Sequence, residues 1–225
     1  MAEKMAETKN LSKGFAEGLK EFAENFEEIV ETVVKDERHE KDWSNRREFA
    51  EEFKKIVKAT DSLTGVFAQK ELEELIKSKD WRKKVVVALN LNTPPKIEEQ
   101  LANDSDWRVR LAVVIADSID PENPKLSKET REKLGNDSDY FVRWGVAALD
   151  PNISPELREK LGNDSDYFVR WGVAAFSNIP EILEKLGNDQ DLRVLDAVLK
   201  NPSTPLETKK RLFYLQLIGN ILLRR

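Results

Sequence analysis

Cysteine is absent from the 225-residue chain. Disulfides, thiolate metal ligands and cysteine nucleophiles are therefore excluded. Histidine is nearly absent too: His39 stands alone. Any Ser-His-Asp triad or imidazole metal site would hang on that one residue. His39-Glu40 is not followed by a second histidine at the zinc-protease spacing. No glycine-rich phosphate loop occurs. No run approaches the ~18 apolar residues of a membrane span, and Met1–Lys13 lacks the apolar core of a secretion signal, so the expected location is the cytoplasm. A basic excess is also missing. The chain has 37 Lys+Arg against 42 Asp+Glu, a net charge of −5, whereas nucleic-acid binders usually carry a net positive field. No catalytic residue, metal or cofactor is expected.

The negative charge is unevenly placed. Residues 1–37 hold five Lys and ten Asp/Glu, while residues 75–212 hold 22 basic and 23 acidic residues. That near-neutral stretch repeats itself. Leu134–Ala148 and Leu161–Ala175 are the same fifteen residues, LGNDSDYFVRWGVAA. Looser copies start at Leu101 (LANDSDWRVRLA), Leu186 (LGNDQDLRVLDA) and Leu75 (LIKSKDWRKKVVVA). Successive starting leucines, ending at Leu212, lie 26, 33, 27, 25 and 26 residues apart. The long interval holds an insertion at Ser118–Lys125. Self-similarity at this period marks stacked helical units that cannot bury their apolar faces alone.

Each copy reads as two helices. Val142, Val146 and Leu149 recur at helical spacing. The Asn-Asp-Ser-Asp before them supplies side chains that accept hydrogen bonds from the first free amides. Asp106, Asp139, Asp166 and Asp191 are the expected caps. The doubled carboxylates Asp104/Asp106, Asp137/Asp139 and Asp164/Asp166 read as capping groups, because a calcium loop needs more ligands and a closing Glu. A breaker such as Asn-Pro-Ser-Thr-Pro at 201–205 then introduces a short second helix, with Ser or Thr as cap and Pro as first helical residue.

Positions within the copy separate packing from surface. Three residues after the cap come Val109, Val142, Val169 and Val194, expected in the core. Six after it come Val86, Ala112, Gly145, Gly172 and Ala197, mostly small, as close helix approach requires. Four after it come Arg110, Arg143 and Arg170, expected to bond an Asp of the neighbouring copy as an Asp–Arg ladder. The residue directly after the cap is aromatic in four copies: Trp81, Trp107, Tyr140 and Tyr167. Placed in the first helical turn, this row is expected to be partly exposed. With Arg110, Arg143 and Arg170 it forms the candidate binding surface, since Trp, Tyr and Arg are the common interface anchors. Trp144 and Trp171 are read as core between copies.

The L-x-N-D-x-D-x-x-V-R stretch, the small residue after it and the Asn-Pro-x-Thr-Pro break at 201–205 resemble the leucine-rich repeat variant and, more distantly, HEAT-like repeats. The resemblance covers about 140 residues. It implies an all-α fold, a right-handed α-solenoid of about five 25–33-residue two-helix repeats, flanked by N-terminal helices and an apolar C-terminal helix. It implies a scaffold and not an activity. The iron–sulfur module carried by one type of member needs cysteines this chain lacks.

The resulting organisation is a flexible N-terminus at 1–10, an N-terminal helical segment at 11–64, the repeats at 65–212 and a capping or interaction helix at 213–225. Leu11, Phe15, Leu19, Phe22, Phe26, Ile29 and Val33 form one helical seam. A second helix is expected over Trp43–Lys58 with Phe49, Phe53 and Ile56 inward, then a loop at Thr60–Thr64. The expected function is a non-catalytic protein–protein interaction scaffold or complex subunit. A protein partner is expected, and a homo-oligomer through the Phe15–Val33 helix or the Leu212–Leu223 tail is the self-assembling alternative. Nucleic-acid and membrane partners are not expected. A second alternative, similarity to the HEAT-like alkylpurine DNA glycosylases, shares Trp, Arg and Asp residue types, but no catalytic residue of theirs maps here.

Overall fold

The computed structural model describes residues 17–21, 23–26, 29, 40–58, 67–119 and 124–222. Among them every element is helical and no strand occurs, so the protein is all-α. The N-terminus at 1–10, Leu11, Phe15, Phe22, Val33, His39, the expected loop at 60–64, residues 120–123 of the insertion, and 223–225 lie outside the described residues. Residues up to Leu126 belong to one compact unit and those from Ser127 to a second.

The first unit holds helical residues at 17–21 and 23–26 and α1 (Glu40–Lys58), α2 (Gln69–Ile76), α3 (Trp81–Ala88), α4 (Pro95–Leu101) and α5 (Trp107–Ile119). Leu19 and Phe26 of the N-terminal seam pack inside this unit. Leu19, Ala23 and Phe26 are buried, and the Phe26 ring lies 5.9 Å from Phe49 and 6.2 Å from Phe53. In α1 the inward row is Phe49, Phe53 and Val57, with Ile56 only half-buried. Steps of four residues keep Val57 on the phenylalanine face and turn Ile56 about 100° away from it. The α5 run Leu111–Ala116 is buried on all sides, which is why its apolar residues are continuous and not periodic.

The second unit holds α6 (Lys128–Leu134), α7 (Tyr140–Leu149), α8 (Pro155–Leu161), α9 (Tyr167–Phe176), α10 (Pro180–Leu186), α11 (Leu192–Lys200) and α12 (Leu206–Leu222). Short and longer helices alternate. The longer α7, α9 and α11 pack in series, α7 on α9 and α9 on α11. Helices of seven to ten residues are unstable alone, so their ends and their contacts with the next copy must hold them. Between α7 and α9 the contact is very close. A Cβ added to Gly172 would stand 2.8 Å from Trp144 Cδ1, so the indole lies against bare backbone. Above it the rings stack: Trp144 on Phe168 at 5.1 Å and 17°, and Phe168 on Trp171 at 5.4 Å and 2°.

Candidate interaction surface

The Asn-Asp-x-Asp motif is a three-part hinge between helices. Its Asn reaches back to the short helix: Asn136 Nδ2 donates to Glu132 O at 2.6 Å and Asn163 Nδ2 to Glu159 O at 2.7 Å. Its first Asp turns the chain: Asp164 Oδ1 accepts from the Asp166 amide at 2.8 Å, as Asp137 does from Asp139. Its second Asp caps the longer helix. Asp106, Asp139, Asp166 and Asp191 each accept from the amide two residues on, at 2.8–3.0 Å. The doubled carboxylates are thus occupied by backbone amides. No group of three or more metal-ligating side chains occurs among the described residues.

The Arg ladder exists, but it runs through the first Asp and not the cap. Arg143 Nε and Nη2 grip Asp164 at 2.7 and 2.9 Å, and Arg170 grips Asp189 at 2.7 and 3.0 Å. Each fork also donates to a backbone carbonyl of its own hinge, Asp137 O or Asp164 O, at 2.8 Å. Holding a backbone amide does not decide between the two carboxylates, since Asp164 Oδ1 accepts the Asp166 amide and still receives Arg143; at Asp106 and Asp191 the cap is taken up by Arg108 and Arg193 of its own helix. Lys84 does the same for Asp104 at 2.6 Å, and Arg110 Nη1 donates to Asp104 O at 2.7 Å. The Asp164 hydrogen bond raises the pKa of Arg143 above the ordinary guanidinium value, against some desolvation. Burial disfavours ionised Asp189, but the Arg170 fork and the hinge amides outweigh it and hold the carboxyl below its usual range. Replacing Arg170 by Lys keeps the charge and loses the fork, and should cost about 1–2 kcal/mol in urea unfolding. Breaking the exposed Lys210–Glu207 pair on α12 should scarcely move the midpoint.

The aromatic row after the caps is more enclosed than its first-turn position suggests. Trp81 and Tyr167 are each only 8% exposed, and Trp107 and Tyr140 are half-buried. The cover comes from the residue two after the cap in the following copy. The Arg108 guanidinium lies 4.6 Å from the Trp81 ring, Arg193 lies 3.6 Å from Tyr167, and Phe168 meets Tyr140 edge-on at 6.3 Å. Trp107 is covered by Arg46 at 3.8 Å. These rings, with Arg143 and Arg170, mainly join one copy to the next, while Arg110 holds its own hinge.

A second polar row was not singled out in the sequence. Asp150, Ser177 and Asn201, directly after the longer helices, and Asn90, two residues after α3, are all buried. Each accepts from the amide two residues on, at 2.8–3.2 Å. Asn201 Nδ2 also reaches Ala174 O at 2.8 Å and Ser177 O at 2.9 Å. The fourth residue of the short helix faces this row: Arg131 binds Asp150 at 3.1 Å, and buried Arg158 donates to Asp150 O at 3.4 Å. In α4 the charge is reversed. Glu98 is 1% exposed. Its Oε1 accepts from Lys125 Nζ at 2.6 Å, while Oε2 has no hydrogen-bond partner. Asp117 Oδ1 holds the Lys125 and Leu126 amides at 2.7 and 3.0 Å, so it pins the end of the insertion. Burial pushes Glu98 up to about 7, with Lys125 opposing and Asp117 assisting. Lining up the short helices by their fourth residue was the signal that could have found this pair.

Several large apolar side chains are exposed. Phe213, Tyr214 and Leu215 on α12 are 57%, 61% and 55% exposed, and Leu217, Leu206 and Phe176 are exposed as well. Residues 213–217 are all exposed, and five consecutive residues sweep a full helical turn, so over that stretch α12 has no covered side. No helix among the described residues is long and apolar enough to cross a membrane. The chain matches no known protein family, no curated protein and no solved structure. It is therefore defined by class alone, an all-α protein of alternating short and longer helices.

Proposed function

We propose that this is a non-catalytic protein–protein interaction scaffold of the cytoplasm, folded as a right-handed α-solenoid of the leucine-rich repeat variant or HEAT-like kind. The near-identical copies and the ladder between them support the solenoid reading. The observation that carries the functional one is the bare apolar end of α12, with Phe213, Tyr214, Leu215 and Leu217 exposed together. An exposed aromatic and leucine cluster of this kind marks a protein contact. The aromatic row at Trp81, Trp107, Tyr140 and Tyr167 is largely covered by neighbouring side chains and is not the anchor of that contact.

The test compares the wild-type chain with Phe213→Ser/Tyr214→Ser as baits in extracts of the native host, read by quantitative mass spectrometry. The expected result is a defined partner on the wild type, depleted at least tenfold on the variant, with the melting temperature unchanged. Equal capture by both, or a large melting loss in the variant, overturns the assignment of α12 as the contact.

A further inference from the structure

Three glycines end the short helices α6, α8 and α10: Gly135, Gly162 and Gly187. Two of them are covered by the next copy. A Cβ at Gly135 would lie 2.8 Å from Leu157 Cδ1, and one at Gly187 would lie 2.7 Å from Thr208 Cγ2. At Gly162 the nearest side-chain atom is Ile182 Cγ2, 3.6 Å away. Ile182 stands where Leu157 stands one copy earlier, and its β-branch reaches less far. Beside Gly162 lies an open groove of about 240 Å³ with Pro155, Gly162, Ile179, Ile182 and Leu186 among its lining. Glu159, Glu181 and Lys185 line it too. Lys185 is bound to Glu159 at 3.0 Å, and Glu181 is exposed with no ion pair among the described residues. The rim therefore keeps a negative charge over an apolar floor. That combination fits an aliphatic side chain followed by a cation.

The same chain supplies such a segment. Leu134, Leu161 and Leu186 are each followed by Gly-Asn, and the helix stops there. Leu212 is followed by Phe213-Tyr214, and α12 runs on to Leu222. Leu212 is the last buried residue of that helix before bare side chains begin. Ten further residues carry Leu222 about 15 Å beyond it, and the sequence continues Leu223-Arg224-Arg225.

We propose that this tail docks in the Gly162 groove of a second copy, with Leu222 and Leu223 on the apolar floor and Arg224 and Arg225 against Glu181 and Glu159. The contact uses two different surfaces, so it is head-to-tail and generates open-ended chains. It rests on the reading of the chain as an interaction protein and names the partner as the chain itself.

Two variants of the full chain test it by light scattering over a concentration series. Gly162→Leu fills the groove; the backbone there is ordinary right-handed helix, and the added Cβ meets only normal contacts. Arg224→Glu/Arg225→Glu spoils the tail. Wild-type mass should rise with concentration and fall back in high salt. Each variant should stay monomeric, and an equal mixture should form a one-to-one dimer, because one variant retains the tail and the other the groove. A wild type that remains monomeric throughout, or a Gly162→Leu chain that assembles like wild type, overturns the proposal. If Gly162→Leu melts early, a labelled Leu215–Arg225 peptide titrated with wild-type chain decides instead: saturable binding weakened by Glu181→Lys supports it, and no binding overturns it. Capture of a foreign partner through Phe213 and Tyr214 by a strictly monomeric wild type would sink self-docking and leave the scaffold reading standing.

Discussion

Trp144→Ala should destabilise the protein by about 3–5 kcal/mol, the range for deleting a fully buried large ring, while Trp171→Ala should cost about 1–2 kcal/mol. The two tryptophans occupy the same position in identical fifteen-residue stretches. Their surroundings differ because the copy that follows each differs. Trp144 lies against bare Gly172 and stacks on Phe168 at 5.1 Å. The corresponding positions one copy on are Ala197 and Arg193, and Arg193 is spent on Tyr167 and Asp191. Trp144 is accordingly fully buried and Trp171 only half-buried, edge-on to exposed Phe176. Denaturant unfolding of the two variants checks this directly. Equal losses would show that the stack, and not the glycine contact, decides burial.

Stability should fall as pH rises from about 4.5 to about 7.5, through Glu98. Burial raises its folded-state pKa from 4.5 to about 7, so the folded chain holds the proton more tightly than the unfolded chain. The contribution is fully present below the unfolded value and is lost as pH climbs through the folded one. At about 1.4 kcal/mol per pH unit the loss amounts to about 3 kcal/mol. The physical origin is the burial of Glu98, which Lys125 opposes and the nearby Asp117 assists. Glu98→Gln should flatten the slope over that interval, measured as the difference between wild-type and variant unfolding curves. Parallel pH profiles would mean that Glu98 is ionised throughout and that Lys125 outweighs its burial.

The sequence and the structure agree where a residue's role is local. Asp139 and Asp166 cap because an Asp before a helix accepts first-turn amides whatever its neighbours are. The arginine ladder was legible as a pairing, but not its partner. Asp164 and Asp166 look alike in the chain, and only the folded geometry shows which carboxylate lies within reach of Arg143. The aromatic row misled for the opposite reason. Tyr167 stands in an exposable first turn, and its cover, Arg193, comes from 26 residues away. Glu98 escaped notice because Lys-Ile-Glu-Glu-Gln reads as a solvated helix face, yet the fourth residue of every short helix points inward. The groove at Gly162 was hidden still more deeply, since the exchange of Leu157 for Ile182 in its lining changes no pattern of hydrophobicity.

The account holds that the motif chemistry binds copy to copy within the chain, and that contact with other molecules falls to the apolar tail. Hydrogen–deuterium exchange of the full chain at low and high concentration tests this most directly. The account predicts that protection rises with concentration in residues 213–222 and 179–186 and nowhere along the capped first turns at 81–84, 107–110, 140–143 and 167–170. Protection that instead rises in those first turns, with the tail unchanged, would contradict it.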